Sequence, residues 1–330
     1  MTAASDGDLL ILSDAQCQEV VDEGDAFRAV EGVFAAMAAG SAVNFPVIRE
    51  AIGHAGALYG FKSGFDRAGM ALGVKSGGYW PENMVAHGIP NHQSSIFLFD
   101  PDTGRLQAIV GGNYLTAVRT AAASAVSIYH LARKDAAVLG IVGAGHQSRF
   151  QLRAALKQRR FTEVLGWNRS PAGLSVLADV AAEFDLPFTA VSPQELAAAA
   201  DVIITITSSH DALLMAGWVR PGTHISAMGT DTKGKRELDE NICAGSVVFT
   251  DEIQQSISIG EAQHAIAAGV IEAGDITPIG AVINGNHAGR PDDAAVTVFD
   301  GTGVGLQDLA LASVAVHAAL SAGVGQRVRL

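Results

Sequence analysis

From residue 14 to 39 apolar side chains recur at helical spacing, Val20, Val21, Ala26, Phe27, Val30, Val33, Phe34 and Met37 among them, with Ser13 or Asp14 placed to cap. This predicts one or two opening helices. Between residues 43 and 112 the pattern shortens. Apolar runs at 57–62, 70–75, 95–99 and 106–110 are separated by Gly, Pro, Asn and Asp, and Asp100-Pro101-Asp102-Thr103-Gly104 forms a turn between the last two. Those runs predict a largely antiparallel sheet. Thr116 is the expected cap of a long alanine-rich helix reaching about Arg133.

Beyond that helix, continuous apolar runs alternate with helical segments. Strands are expected at 137–142, 163–167, 188–191, 202–207, 223–228 and 247–250, with helices ending near 157 and covering 172–184 and 193–199. Continuous apolar strands between helices imply a parallel sheet covered on both faces. The expected fold class is therefore α/β, a doubly wound Rossmann-type sheet beside a smaller α+β part, and 330 residues leave room for about two domains. Residues 309–326 carry no formal charge, which reaches the length of a candidate membrane span. Their Ala, Ser, Gly and Val content, with His317 in the middle, predicts a buried carboxyl-terminal helix instead.

The first strand of the alternating region leads into Gly143-Ala144-Gly145-His146-Gln147-Ser148. A glycine turn at that place presents backbone N–H groups at a helix N-terminus, where a pyrophosphate is favoured. Gly143 and Gly145 fit the first two positions of the dinucleotide fingerprint, and Ser148 stands as a small residue at the third. The second strand ends in Asn168-Arg169-Ser170, with no carboxylate for a ribose 2′-OH. Arg169 and Ser170 can hold a 2′-phosphate, which leans toward NADP(H). Arg169 over the adenine face of NAD(H), with Asn168 on the ribose, is the other reading.

Charge narrows the function. Lys and Arg total 22 against 34 Asp and Glu, a formal charge of −12, and only 17% of residues are charged where about 25% is usual. Nucleic-acid binding, which needs clustered cations, is disfavoured. A 48% apolar share excludes disorder. Cys17 and Cys243 are the only cysteines, which excludes a disulfide scaffold and a Cys-rich zinc site and fits a reducing cytoplasm. Residues 1–8 carry acids and no basic region, so no secretory signal is expected. The ten histidines have no metal-site spacing, and Gly-x-Ser-x-Gly is absent.

Gly73-Val74-Lys75-Ser76, Pro81-Glu82-Asn83, Leu115-Thr116-Ala117-Val118-Arg119-Thr120-Ala121-Ala122, Gly143-Ala144-Gly145-His146-Gln147, Met228-Gly229-Thr230-Asp231 and Val298-Phe299-Asp300-Gly301-Thr302-Gly303 follow one another along the chain. Together they resemble the ornithine cyclodeaminase/mu-crystallin family over nearly the whole length. The resemblance implies a homodimeric enzyme that binds a nicotinamide cofactor and an α-amino or α-imino acid. It implies a substrate and dimerisation domain, 1–128 with 304–330, and a Rossmann domain, 129–303. The residues expected at the cofactor are Thr120, Gly143, Ala144, Gly145, His146, Gln147, Asn168, Arg169, Ser170, Thr207, Ser208, Met228, Gly229 and Asp300.

An imino acid's α-carboxylate must be held while hydride reaches Cα, and a basic fork or ammonium does this best. By resemblance, Arg49 and Arg119 clamp that carboxylate, Lys75 sits beside the reacting carbon, and Asp231 is the acid/base partner. Arg119 is expected in the first turn of its helix, where the helix dipole would add to its pull. Neighbouring cations, Arg49 and Arg119, would depress the Lys75 pKa. A cyclodeaminase needs an acid upstream of Lys75 to hold a distal ammonium. Here Lys62 stands at that place, with His92 also expected nearby, which favours a second carboxylate over an ammonium unless Lys62 points to solvent or Asp66 neutralises it. The expected reaction is reduction of an α-imino acid, iminosuccinate to L-aspartate first. Alanine or another amino acid dehydrogenase, a cyclic ketimine reductase, an ornithine cyclodeaminase and a non-enzymatic binding protein are the alternatives.

Overall fold

The structure is a computed structural model and describes residues 8–329; residues 1–7, most of the stretch read above for a secretory signal, lie outside that range. In chain order the elements are β1 (Asp8–Leu12), α1 (Asp14–Val20), α2 (Glu23–Ala38), β2 (Ala42–Asn44), β3 (Ile48–Ala51), β4 (Leu58–Asp66), β5 (Ala71–Tyr79), α3 (Asn83–His87), β6 (His92–Phe99), β7 (Leu106–Gly111) and α4 (Gly112–Leu131). Then follow β8 (Val138–Val142), α5 (Ser148–Leu156), β9 (Glu163–Trp167), α6 (Ser175–Ala182), β10 (Phe188–Ala190), α7 (Pro193–Ala199), β11 (Val202–Thr205) and β12 (His224–Ala227). The last are α8 (Glu240–Ala244), β13 (Val247–Thr250), α9 (Ile253–Ile259), α10 (Ala262–Ala267), β14 (Ile276–Pro278), α11 (Ile279–Ile283), β15 (Thr297–Asp300), α12 (Gly305–Ala322) and β16 (Gln326–Arg329). The chain divides into two compact units, one reaching Arg119 and resuming at Val304, the other Thr120–Gly303.

The first unit is built on one sheet of order β16-β1-β7-β6-β5-β4-β2, with β3 also paired to β4. All its pairs are antiparallel except β1 with β7. Two helices open the chain, each with a reciprocal capping box: Ser13 with Gln16 for α1, and Asp22 with Asp25 for α2. Helix α12 packs on β4, β5 and α2. Its close approach needs glycines beneath it, because a Cβ at Gly64 would lie 2.9 Å from Leu306 Cδ2 and one at Gly73 2.8 Å from Leu309 Cδ2. Of the apolar 309–326 stretch, the part up to Ala322 is helical, with Leu309, Leu311, Ala312, Ala315 and Ala319 buried while His317 and residues 320–323 are exposed, and α12 has the length and hydropathy of a candidate span.

Helix α4 starts four residues before Thr116, which therefore lies inside it. Its N-terminal N–H group at Tyr114 is met by Asp14 Oδ1 at 2.9 Å, a cap from another element that no local pattern announces. The helix dipole therefore adds nothing to the pull of Arg119. Arg119 lies about two turns in, and the dipole's pull fades within the first.

The second unit holds eight parallel strands in the order β10-β9-β8-β11-β12-β15-β13-β14. Strand order reverses between β8 and β11, where a doubly wound sheet opens a crevice at the carboxyl ends of its strands. The boundary between units falls at 119/120 and not at 128/129, because the second half of α4 is tied into this unit. Ser127 Oγ lies 3.1 Å from both His224 Nε2 and Ser226 Oγ, and Gln151 Nε2 donates to the Thr120 carbonyl at 3.2 Å.

Candidate active site

Strand alternation sorts the first unit's sheet into two chemically opposite faces. Lys62 pairs with Lys75 across β4 and β5, Arg49 pairs with Gly60, and Gly77 pairs with Ser94 on β6. Arg49, Lys62, Lys75, Ser94 and His92 therefore share one face. Phe61 and Ile48 face each other on the opposite side. Lys62 is half-buried, not turned out to solvent, and Asp66 Oδ1 accepts from the Ala68 N–H in the turn that follows.

Lys75 and Arg119 meet on this face through a residue the sequence reading passed over. Asp308, fully buried on α12, lies 2.7 Å from Lys75 Nζ through Oδ2 and accepts from Arg119 Nε at 3.0 Å through Oδ1. Arg119 Nη1 donates to Gln307 Oε1 at 3.0 Å, and Lys75 Nζ donates to Thr116 Oγ1 at 3.4 Å. Burial lowers the Lys75 pKa to about 7, Asp308 pulls it back up, and Arg119 and Lys62 push it down. Burial, with Lys62 in place of the anticipated Arg49 beside Arg119, thus sets this lysine. Burial opposes ionisation of Asp308 too, yet Arg119 and Lys75 outweigh it and hold that carboxyl at about 2. His92, 3.1 Å from Ser94 Oγ, is depressed to about 3 by burial and then by Lys75 and Arg119, so it serves as a neutral hydrogen-bonding ring.

The second unit presents the dinucleotide turn. Gly143 has φ 111°, and a Cβ there would lie 2.6 Å from the Ile206 carbonyl oxygen. Gly145 has open space where its Cβ would be, so the turn forms a cradle a ligand can fill. Ser148 closes the turn, its Oγ donating to the Gly145 carbonyl at 2.7 Å. Asn168 Oδ1 accepts from the Ala144 N–H at 3.2 Å, which braces the cradle; His146, Arg169 and Ser170 are exposed beside it. Gly143→Ala is expected to destabilise the protein by about 1–3 kcal/mol and to abolish dinucleotide binding. Thermal unfolding and a fluorescence titration with NADH check this, and wild-type values in both would refute the strained-turn reading.

Glu237 is a second residue that sequence reading missed. Fully buried, it accepts from the Thr207 N–H at 2.5 Å, the Gly229 N–H at 2.9 Å and Thr205 Oγ1 at 2.7 Å, and so fastens the loops after β11 and β12. Beside Lys233, Lys235 and Arg236 it reads as one charge of a solvated run. Those loops carry Thr207, Ser208, Met228 and Gly229. Asp300, expected at the cofactor, turns its carboxyl inward to Ser256 Oγ at 2.5 Å and the Ala262 N–H at 3.2 Å, and burial raises its pKa to about 7. Asp231 belongs to this unit, and its Oδ1 accepts from Lys235 Nζ at 2.8 Å and Thr232 Oγ1 at 3.1 Å.

The model of the ornithine cyclodeaminase/mu-crystallin family matches residues 9–323. The chain belongs to that family. Within it, the chain is 58% identical over 322 residues to the iminosuccinate reductase of Paracoccus denitrificans, covering 98% of this chain and 100% of the relative. The crystal structure of that reductase in complex with NAD+ is similar with a TM-score of 0.94 at 57% identity, covering 98% and 100% of the two chains. An archaeal alanine dehydrogenase dimer with bound NAD is similar with a TM-score of 0.93 at 30% identity, covering 98% and 99%. Family members thus share the whole two-unit chain and not the dinucleotide sheet alone.

Proposed function

We propose that this chain reduces iminosuccinate to L-aspartate with a nicotinamide cofactor. The observation that carries the reading is the cationic sheet face, where Arg49, Lys62, Lys75 and Arg119 gather with Asp308 as the acid between two of them. Such a field favours a dianion and repels the distal ammonium of a diamino acid. The 58% identity to an iminosuccinate reductase supports the same substrate.

The Gly143–Gly145 cradle and the loops fastened by Glu237 fit a dinucleotide. The reduced nicotinamide, when bound, supplies the hydride for Cα. Arg119, held at Nε by Asp308 and at Nη1 by Gln307, turns its remaining N–H groups to the substrate's α-carboxylate. Lys62 and Arg49 face the distal carboxylate, and neutral His92 can donate to it. Lys75 gives the imine nitrogen its proton, so one proton and one hydride add across C=N. With its pKa lowered to about 7, Lys75 is charged for reduction below that pH and neutral, as a base for the reverse reaction, above it. NADH is the cofactor proposed, because the similar reductase and dehydrogenase structures hold NAD+ and NAD. The exposed Arg169 and Ser170 make NADPH its proper comparison.

The face opposite the cations supports a dimer. Val43, Phe45, Ile48, Phe61, Met84 and Val85 are exposed on or beside β2, β3, β4 and α3, Val85 at 85%. Apolar exposure of this kind marks a protein contact, and light scattering should give twice the chain mass. A monomer at micromolar concentration would contradict it. The reading also sets the protein in the reducing cytoplasm, supported by two buried, unpaired thiols; cell fractionation that finds it elsewhere would overturn that.

The test is a panel: purified protein, NADH or NADPH, ammonium, and oxaloacetate or pyruvate, followed by loss of reduced-nicotinamide absorbance. Consumption with oxaloacetate far above that with pyruvate is expected. The reverse order would favour an alanine dehydrogenase, and cofactor binding without turnover of any imine a binding protein.

A further inference from the structure

An ammonium and a guanidinium buried side by side repel each other, and each has lost its water. Removing the counter-ion of such a pair leaves an uncompensated buried charge, which is strongly unfavourable. In this protein a single carboxylate answers both. Asp308 has no solvent exposure and reaches Lys75 with one oxygen and Arg119 with the other, at 2.7 Å and 3.0 Å. The next residue toward the N-terminus, Gln307, is equally buried and holds Arg119 through a different nitrogen. Two consecutive side chains at the start of α12 therefore fix the guanidinium plane, while Thr116 on α4 bridges Lys75 and Asp308 at 3.4 Å and 3.5 Å.

We infer that Asp308 is a positioning residue of the reaction: it orients Arg119 for the substrate's α-carboxylate and keeps Lys75 protonated until the imine nitrogen takes the proton. This rests on the proposed reduction. Lys75, Arg119 and Asp308 together carry one net positive charge, which a substrate carboxylate then neutralises. Without Asp308 the same space holds two cations, and Lys75, whose ammonium is a far stronger acid than the guanidinium of Arg119, is the group able to release its proton. The other charged groups that act most strongly on Lys75 or its neighbour His92 are cations: Arg119 from α4, Lys62 from β4 and Arg49 from β3. Asp308 is the group that raises the Lys75 pKa against burial, Arg119 and Lys62.

The test uses full-length protein and two variants. The chain has six lysines, so NMR of protein labelled with 13C at lysine Cε resolves few signals, and Lys75→Arg assigns the one wanted. In Asp308→Asn the Lys75 midpoint should fall by about one to three pH units, the shift an opposite charge at this range produces. The falling limb of the reduction rate against pH should move down with it. At low pH kcat/KM should drop about tenfold or more as Arg119 loses its orientation, while NADH binding stays unchanged. In Asp308→Glu, which keeps the charge but displaces it, the midpoint should stay within about half a pH unit of wild type while kcat falls. An unmoved midpoint in Asp308→Asn, or an equal fall in both variants, would overturn the proposal. If Asp308→Asn does not fold, Asp308→Glu decides: wild-type kcat would overturn it. The NMR titration needs no turnover, so failure of the iminosuccinate reading alone would show as an inactive wild type whose Lys75 midpoint still depends on Asp308.

Discussion

Lys75→Ala should lower imine reduction by about 10²–10⁴-fold, the range that a positioned general acid contributes. The loss should fall on kcat, because the proton is needed as the C=N bond is reduced and not for substrate capture. Cofactor affinity should remain, since the dinucleotide cradle lies in the other unit. Some stability should go too: Asp308 would keep Arg119 but lose the partner 2.7 Å away. Thermal unfolding beside steady-state kinetics separates the two effects. A variant that melts like wild type and still turns over within threefold would remove Lys75 from the chemistry.

The second large effect is expected at Lys62. Lys62→Glu should lower kcat/KM for the dicarboxylic imine by about a hundredfold or more, because a like charge facing the substrate costs several kcal/mol and each ~1.4 kcal/mol is tenfold. Activity with the imine of pyruvate should change far less. The variant carries a second sign. Lys62 pushes the Lys75 pKa down, so exchanging it for an anion should raise that pKa and carry the falling limb of the reduction rate to higher pH. Equal loss for both imines, with the limb unmoved, would mean that Lys62 acts on folding and not on the distal carboxylate.

Much of this was legible in the residues. The alternation from Val138 onward gave the parallel sheet, and Gly143-Ala144-Gly145 marked the turn whose backbone only glycine relaxes into at its first position. Lys75 and Arg119 stood out through their motifs. What escaped were contacts between distant segments. The cap of α4 comes from Asp14, a hundred positions before Tyr114. Asp308 heads a stretch whose apolar run begins at Leu309, so it reads as the polar end of a core helix until α12 is laid across β4 and β5. Glu237 hides among three cations for the same reason. Asp300 shows the converse: a motif residue at a strand's carboxyl end, the expected place for a ligand, whose side chain turns inward to Ser256 and Ala262.

The net charge of −12 therefore describes the molecule and not its working surface. Three cations, Lys62 and Lys75 on one sheet face and Arg119 two turns into α4, bear directly on a single buried acid. In the proposed reaction, that local field is what would select a dianion from among the small imino acids. The most direct test is the fate of hydride: the protein is incubated with oxaloacetate, ammonium and NADH carrying deuterium at the transferable position, and the product is analysed by chiral chromatography and mass spectrometry. The expected product is L-aspartate with one deuterium at Cα for each NADH consumed. Deuterium in alanine from a pyruvate control, with none in aspartate, would contradict it.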